Sequence, residues 1–447
     1  MDAGIDVADA RRAMTRADLH RLAGRFAVML GGEVLQSLFH LGLNLALVRA
    51  LSAHGYGLFA IVFGLGAVAL TFVRALAGVP ALTFIPQARS ERRARAEAVA
   101  FGTGALALCL GLGLGTAAAF APFVGTGALA AGAFVAAWSL RSFLRNLLFA
   151  RGRADVAGLS DLAFTLGGTA MLAPVLMRGG ADALLWDSLW LLAAAHALGL
   201  AVALLALRER VRIAPRHAWR RYRRLWRSLA WSVAGTATAN VQAQGQMLLI
   251  AALAGPAAYA PVAAVLVLFS PLRLLGTVVV NLCQPEMARL IAAGKARRLR
   301  RVLAAATALL AAACLAYGAS LALLFDAVEH RLFADRFADE PLGLIAGLVG
   351  ATVLLTMLYA APKTLIETRR AFPELAAMAL ASATIGMAGV AALVAFASPA
   401  WSMAGVAVSE VVVLAWSWRA ALRPATQPVA PRPSAFQIAL PVSRRVP

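Results

Sequence analysis

The sequence predicts an all-α polytopic membrane protein of about twelve transmembrane helices, arranged as two pseudo-symmetric six-helix lobes. Composition, the distribution of basic residues and an internal duplication carry this prediction. Of the 447 residues, 61% are hydrophobic and only 14% are charged, and the mean hydropathy is +0.77. An ordinary soluble domain has a charged fraction of roughly 25%. The composition therefore indicates a membrane protein.

Apolar runs long enough to cross a bilayer alternate with short polar loops, since about 20 helical residues span the hydrocarbon core. We predict spans at 26–48, 58–85, 98–120, 123–147, 156–177, 184–206, 228–253, 259–283, 302–325, 342–362, 374–397 and 400–418. The corresponding units are an N-terminal arm (1–25), an N-lobe (26–206), a basic linker (207–227), a C-lobe (228–418) and a disordered tail (419–447).

The basic residues predict that both termini are cytoplasmic. With the N-terminus inside, about 36 of the 42 Lys and Arg residues fall in cytoplasmic segments, as the positive-inside rule requires. Arg49, Arg178, Arg331 and Arg336 fall outside. An odd number of spans would reverse every later loop, so the asymmetry favours an even number.

The net charge of +21 could also indicate nucleic-acid binding, but the basic residues lie in loops between apolar runs. The most basic stretch, from Arg208 to Arg227, mixes arginine with aromatic residues. This mixture is typical of an interfacial helix on anionic headgroups. We therefore expect contact with membrane lipids and no nucleic-acid partner.

The two halves share a pattern that indicates a parallel duplication. Tyr56 and Tyr259 each open the second span of their half. Arg74 precedes Pro86, and Arg273 precedes Pro285, by 12 residues in both cases, and each proline is predicted to end its span.

Arg74 and Arg273 are the principal candidate ligand-binding residues. A separation of 12 helical residues is about 18 Å, which places each guanidinium near mid-membrane, where a charged side chain is costly. Two such arginines related by pseudo-symmetry suit a phosphate or pyrophosphate group. Alternatively, they are structural residues that hydrogen-bond carbonyls across helices.

Polar stripes on the first and seventh spans are candidate cavity linings. The first contains Glu33, Gln36, Ser37, His40 and Asn44, and the seventh contains Ser232, Thr236, Asn240 and Gln244. From these we select Gln36, His40, Asn44, Asn240 and Gln244 as ligand contacts. Hydrogen bonding between helices is the alternative. Glu33 and His40 can titrate, so they are candidates for ion coupling.

The remaining ionisable residues of the spans support weaker hypotheses. Glu410 is a third ion-coupling candidate, although its position favours a buried protonated or paired carboxyl. His196 is predicted to be an interior histidine, and Asp161 to mark the membrane interface. Arg141 and Arg145, one helical turn apart, either receive a lipid headgroup or anchor the helix end.

The sequence contains no pattern of catalysis or metal binding. Cys109, Cys283 and Cys314 are far apart in apolar segments, and the metalloprotease, nucleophile-elbow and Walker A motifs are absent. No loop has room for a catalytic domain. We therefore predict a transporter rather than an enzyme, without a cofactor or a metal.

The stretch from Leu43 to Ala60 resembles the polysaccharide-exporting branch of the multidrug/oligosaccharidyl-lipid/polysaccharide (MOP) flippases, which includes the Wzx-type O-antigen flippases. These proteins typically have an Arg-x-Leu-Ser segment before a Tyr-Gly-x-Phe opening of the second span. The matching residues are Arg49, Leu51, Ser52, Tyr56, Gly57 and Phe59.

The resemblance implies a MATE-like pair of lobes that alternate access around a central cationic cavity lined by spans 1, 2, 7 and 8. The implied cargo is undecaprenyl-pyrophosphate-linked oligosaccharide, a unit of polysaccharide or lipopolysaccharide, flipped across a bacterial cytoplasmic membrane. A polysaccharide polymerase and a chain-length regulator are the implied protein partners. Many relatives have an acidic residue in span 7, where this chain has Gln244 and Gln246. A MATE-like drug:cation antiporter and a saccharide polymerase or ligase are the rival interpretations.

Overall fold

A computed structural model describes residues 16–177, 181–207, 212–333, 336–369 and 371–423, and within these ranges the protein is helical and contains no β-strand. Several predictions concern residues outside the described ranges: most of the N-terminal arm (1–15), Arg178, part of the linker (208–211) and most of the tail (424–447).

The described residues form fifteen α-helices, two π-helical turns and a short 3-10 helix. The α-helices are α1 (Arg16–Ala50), α2 (Ala53–Val73), α3 (Val79–Phe84), α4 (Glu91–Val124), α5 (Gly127–Ala150), α6 (Ala154–Met177), α7 (Ala181–Leu207), α8 (Pro215–Ala254), α9 (Pro256–Leu268), α10 (Ser270–Ala292), α11 (Ala296–Leu323), α12 (Phe325–Val328), α13 (Leu342–Thr368), α14 (Phe372–Phe396) and α15 (Ser402–Leu422). The π-helical turns are Arg74–Gly78 and Glu329–Phe333, and the 3-10 helix is Pro399–Trp401.

Short polar caps and prolines define the starts of several helices. The Ser52 hydroxyl accepts a hydrogen bond from the Gly55 amide at 3.1 Å, and the Ser90 hydroxyl accepts one from the Arg93 amide at 3.3 Å. These contacts satisfy amides that have no partner in the first helical turn. Gly255, with φ of +87°, makes the sharp turn from α8 to α9.

Nine membrane-crossing helices are identified by length and hydropathy in the described part of the chain, with α2 and α3 counted as one span. The pair α9 and α10, bent by 51°, brings the number to ten if the two helices form one broken span. Helices α1 and α8 are also long enough, at 35 and 40 residues, but are outside this set. Both carry the polar stripes. The protein is thus a multi-pass helical membrane protein, and the number twelve stays a prediction.

Several helix boundaries differ from the prediction, and three of them affect the linker, the second span of the C-lobe and the tail. Helix α8 is continuous from Pro215 to Ala254, so the described part of the basic linker extends span 7 directly. Helix α10 continues past Pro285 to Ala292, because a proline removes only its own amide donor and a membrane helix tolerates that loss. Helix α15 reaches Leu422, four residues into the predicted tail.

Helices of the first half pack mainly with one another, as do those from α8 onwards, and a seam of α1 and α2 against α8 and α9 joins the two sets. The largest apolar core crosses this seam and includes Phe59 and Val262. Smaller cores lie on either side, around Phe101 and around Ile366. Division into two six-span lobes agrees with this packing but stays a prediction.

Candidate functional site

A cavity of about 490 Å³ lies in the seam, within the size range of small-molecule sites. Its walls come from α1, α2, α8, α9 and α10, which correspond to spans 1, 2, 7 and 8. These are the spans that the family resemblance assigns to the central cavity. Of the candidate ligand contacts, the described lining contains His40, Asn44, Gln244 and Arg273.

Arg273 supplies the positive charge of this cavity. Its side chain is exposed to the cavity space, and it lies beside Tyr259, which also lines the wall. Arg273 makes no ion pair with any described residue, and no aspartate or glutamate is among the described lining residues. An uncompensated guanidinium inside a membrane bundle can bind an anion.

Hydroxyl and amide groups surround the same space. Tyr56 donates a hydrogen bond from its hydroxyl to the Asn44 Oδ1 at 3.4 Å, and the Asn44 amide nitrogen donates to the His40 carbonyl at 2.8 Å. Further polar groups of the lining come from Ser37, Gln244, Gln246, Ser270 and Thr277. Such groups can bind hydroxyl-rich ligands as both donors and acceptors.

Arg74 lies outside the described lining of the cavity, but on the helix face that continues it. Ala60, Gly64 and Ala67 line the cavity, and Thr71 and Arg74 follow at helical spacing. Arg74 is exposed and opens the π-helical turn. Asn240 also lies at this level, since its amide nitrogen donates to the Thr71 hydroxyl at 2.6 Å. Arg74 is therefore on the cavity-facing side of α2 but outside the described lining, whereas Arg273 lines the cavity.

A buried ion network lies beside the cavity, between α1, α5 and α6. The Arg141 Nη1 is 3.2 Å from the Asp161 Oδ1, and the Arg145 Nε is 3.0 Å from the Asp161 Oδ2. Arg145 also pairs with Glu33. Arg141 and Asp161 are only 2% and 1% exposed. A buried carboxylate, Asp161, and a half-exposed one, Glu33, thus compensate the two guanidinium groups.

Gln36 and Gly32 of α1 contact this ion network. The Arg141 Nη2 donates to the Gln36 Oε1 at 2.9 Å, so Gln36 orients an arginine of the network. A Cβ on Gly32 would lie 2.2 Å from the Asp161 Oδ2, so only glycine leaves room for that carboxylate against α1. Asp161 is therefore buried between helices, and its predicted depth at the membrane interface stays a prediction. A lipid headgroup could reach Arg141 or Arg145 only by displacing these partners.

An aromatic cluster connects the cavity to the ion network. The His40 ring lies within 5.8 Å of the rings of Phe39, Phe63, Trp138 and Phe164, and 6.4 Å from His196. The His196 ring is buried and stacks on Phe164 at 4.3 Å.

The Arg141 guanidinium also lies over the Phe164 ring, at 4.3 Å. The His40 Nε2 and both His196 ring nitrogens have no hydrogen-bond partner in the described part of the chain. The cluster therefore places two titratable rings between a cation and the cavity.

Glu410, the third ion-coupling candidate, lies outside both sites. It is buried on α15, with Tyr359 and Lys363 of α13 nearby. Its Oε2 has no hydrogen-bond partner in the described residues.

Asp161 and His196 are the residues that sequence reasoning undervalued. One available signal was the conjunction of Arg141, Arg145 and Asp161 on consecutive antiparallel spans, since adjacent spans of a hairpin can pair opposite charges. His196 has no comparable signal, because its environment comes from α1, α5 and α6 together.

The fold is that of MOP-superfamily transporters. A multidrug-resistance MATE family transporter in an inward-facing conformation matches with a TM-score of 0.66 and 13% identity, over 86% of this chain and 94% of that one. The lipid II flippase MurJ matches with a TM-score of 0.64 and 9% identity, over 88% and 87%.

A MOP superfamily transporter from Pyrococcus furiosus also matches, with a TM-score of 0.61 and 14% identity over 89% and 93% of the two chains. The reversed polarity of its binding pocket is said to suggest a different function for that protein. No protein-family model and no curated protein matches the sequence. At these identities the similarity defines the fold: a multi-pass helical membrane protein built like known transporters and a lipid flippase.

Proposed function

We propose that this protein flips undecaprenyl-pyrophosphate-linked oligosaccharide, a repeat unit of polysaccharide or O-antigen, from the inner to the outer leaflet of a bacterial cytoplasmic membrane by alternating access. Arg273 binds the pyrophosphate, and the hydroxyl and amide groups of α1, α2 and α8 bind sugar hydroxyls. In this proposal both termini are cytoplasmic, and the two sets of helices act as the moving lobes. A polysaccharide polymerase and a chain-length regulator are the proposed partners.

The observation that carries the proposal is an uncompensated arginine in a cavity whose described lining includes no acidic side chain. A guanidinium forms paired, charge-assisted hydrogen bonds with phosphate oxygens. Arg74, on the face of α2 that continues the cavity wall, supplies a second cation for the headgroup as it moves along the seam.

The main rival is a drug:cation antiporter of the MATE type, on the same fold. A cationic drug would bind poorly beside Arg273, since no described carboxylate lines the cavity to attract it. A polymerase or ligase lacks support, because the described loops between helices are short.

The ion network and the aromatic cluster are our candidates for coupling transport to an ion gradient. The Glu33 side chain is 47% exposed, whereas Asp161 is buried between two arginines. His40 lines the cavity and lies near Arg141. In this scheme, Glu33 or His40 couples transport to the ion gradient as the seam opens and closes, and Glu410 acts independently of the cavity.

Complementation of a strain lacking its O-antigen or polysaccharide flippase tests the proposal in vivo. Wild type should restore surface glycan. Arg273→Ala should reduce it by about tenfold or more, because loss of a charged phosphate contact costs roughly 1.5–3 kcal/mol. Arg273→Lys should retain part of the activity.

Arg297→Ala is the matched control, because Arg297 is exposed at the start of α11, away from the cavity. Arg74→Ala, alone and combined with Arg273→Ala, then measures the contribution of the second cation to glycan export. Full glycan export by the Arg74→Ala/Arg273→Ala double variant would contradict the site assignment. Drug efflux without glycan export in wild type would favour the antiporter.

A further inference from the structure

A second and larger cavity lies away from the seam, among helices of the first half and the start of α8. It is a groove of about 1240 Å³ between α4, α5, α7 and the segment that leads into α8. None of its lining residues is shared with the seam cavity. The groove is therefore separate from the transport path proposed above.

The groove has two chemically distinct zones. Its apolar wall is formed by side chains of α4, α5 and α7: Leu106, Leu140, Phe143, Leu144, Leu200 and Leu204. Its polar zone holds four arginines, Arg92, Arg95, Arg151 and Arg212, and one glutamate, Glu91. An apolar channel that ends in excess positive charge complements an anionic amphiphile.

Two of these arginines are not neutralised by a described acidic side chain. Arg95 is paired with Glu91, the acid of the groove. Arg92 and Arg212 are both exposed, and neither makes an ion pair with a described residue. They lie on different elements, α4 and the segment before α8, so a headgroup between them would bridge two parts of the chain.

The segment before α8 is fixed against α4 beside this groove. The Ala214 amide donates to the Thr103 hydroxyl at 3.1 Å, and the Arg221 Nε is 2.8 Å from the Glu97 Oε2. Arg221 also lies over the Phe84 ring at 4.7 Å. These contacts give the groove a rigid wall at its polar end.

Exposed tryptophans indicate that the polar zone lies at the depth of lipid headgroups. Trp219 and Trp226, on the first turns of α8, are 70% and 60% exposed. Tryptophan concentrates at membrane interfaces, where its ring is apolar and its N–H can reach water. The leucine-lined wall then extends from the headgroup level into the hydrocarbon.

We propose that this groove is a binding site for an anionic phospholipid of the leaflet at the basic end of the bundle. Its phosphate is bound by Arg92 and Arg212, and an acyl chain lies along the wall that includes Leu140, Leu144 and Leu204. A phospholipid in this position holds the segment before α8 to α4.

Native mass spectrometry of the full-length protein in detergent tests this site, with phosphatidylglycerol and phosphatidylcholine of equal chain length as probes. Wild type should retain phosphatidylglycerol in preference to phosphatidylcholine. Arg92→Gln/Arg212→Gln should weaken that retention on the order of tenfold, since each arginine near a membrane surface adds a comparable share of the attraction. Arg297→Gln/Arg300→Gln, with exposed arginines on α11, is the charge-matched control.

A glycine pair on α4 supplies a steric test that does not change the charge. Gly102 lines the groove, and a Cβ there meets nothing within 4 Å, so Gly102→Leu should fold and fill the groove. Gly111 on the same helix also has open space around its Cβ but lies outside the groove lining, so Gly111→Leu is the control. Retention should be lost in the first variant and kept in the second.

Three results would overturn the proposal. Equal retention of the two lipids would mean that no anionic site exists. Undiminished retention of phosphatidylglycerol by Gly102→Leu would place the lipid elsewhere. Retention of undecaprenyl phosphate in preference to phosphatidylglycerol would assign the groove to a carrier lipid. Because the readout is lipid binding and not transport, the site can stand or fail independently of the flippase proposal.

Discussion

Asp161 shows how a single buried carboxylate organises the first half of the molecule. Its two oxygens face Arg141 and Arg145 of α5, and Gly32 of α1 leaves the space for it. Removing one partner of a buried ion pair exposes the other to an apolar environment without compensation. The surrounding helices α1, α5 and α6 should therefore depend on this residue for stability.

We expect Asp161→Ala to reduce the free energy of unfolding by about 3–5 kcal/mol, because two guanidinium groups lose their buried partner. Glu33→Gln should cost less than about 1 kcal/mol, since the Glu33 side chain is 47% exposed. Thermal unfolding of the purified variants in detergent would separate the two. Equal effects of both substitutions would contradict the burial argument.

At the residue scale, the sequence predicts which polar and charged side chains lie inside the spans, but not which of them contact one another. His40, Asn44, Gln244 and Arg273 reach one cavity, whereas Gln36 turns to Arg141. A helical wheel fixes the relative angles of Gln36 and His40 on α1, but the rotation of α1 against α5 depends on packing between distant segments. Contacts such as that between Asn240 and Thr71 are set by tertiary structure alone.

At the scale of elements, the Arg-x-Leu-Ser and Tyr-Gly-x-Phe motif at residues 49–59 has a structural role. It forms the end of α1, the loop between α1 and α2 and the start of α2. Ser52 caps α2, Tyr56 reaches Asn44 of α1, and Phe59 is fully buried in the core. The Arg49 carbonyl accepts a hydrogen bond from the Arg336 Nη2 at 2.9 Å. The motif residues therefore join α1, α2 and the second half at one end of the seam.

At Gly57, α2 approaches the start of α9 closely. A Cβ at Gly57 would lie 1.9 Å from the Pro256 carbonyl oxygen, so the two helices could not keep this separation. Close approach of helices at glycine is a common device in membrane bundles.

We expect Gly57→Ala to force α2 and α9 apart at this end of the seam and to reduce transport. Spin labels at His54 and Ala257, both exposed, would report the separation by pulsed electron paramagnetic resonance in a background without the native cysteines. Gly42→Ala is the control, because a Cβ there meets nothing within 4 Å. An unchanged distance in Gly57→Ala would contradict the proposed tight contact.

At the scale of the whole molecule, hydropathy and charge predict the positions of the helices well. They do not determine how many of these helices cross the membrane. The apolar criterion identifies nine or ten spans among the described residues and does not include α1 and α8. These two helices line the cavity and carry its polar groups, so the site itself weakens the signal that defines a span. The charge asymmetry, which includes both helices, still favours an even number.

Single cysteines at loop positions would test the twelve-span topology. We expect Ser90→Cys and Lys295→Cys to react with a membrane-impermeant thiol reagent only after the cells are permeabilised, and Thr126→Cys and Ala338→Cys to react in intact cells. Six predicted spans separate Ser90 from Lys295, so the two positions should be on the same side. Opposite sides would mean that α8 or another of these helices does not cross the membrane.

The central claim, that Arg273 binds the pyrophosphate of a lipid-linked saccharide during flipping, is tested most directly with purified protein in liposomes. The measurement is the fraction of fluorescent undecaprenyl-pyrophosphate-linked saccharide that becomes accessible to a hydrolase in the opposite compartment. Wild type and Arg297→Ala should translocate it, and Arg273→Ala should be at least about tenfold slower. Equal rates for Arg273→Ala and wild type, or translocation no faster than in protein-free liposomes, would contradict the account.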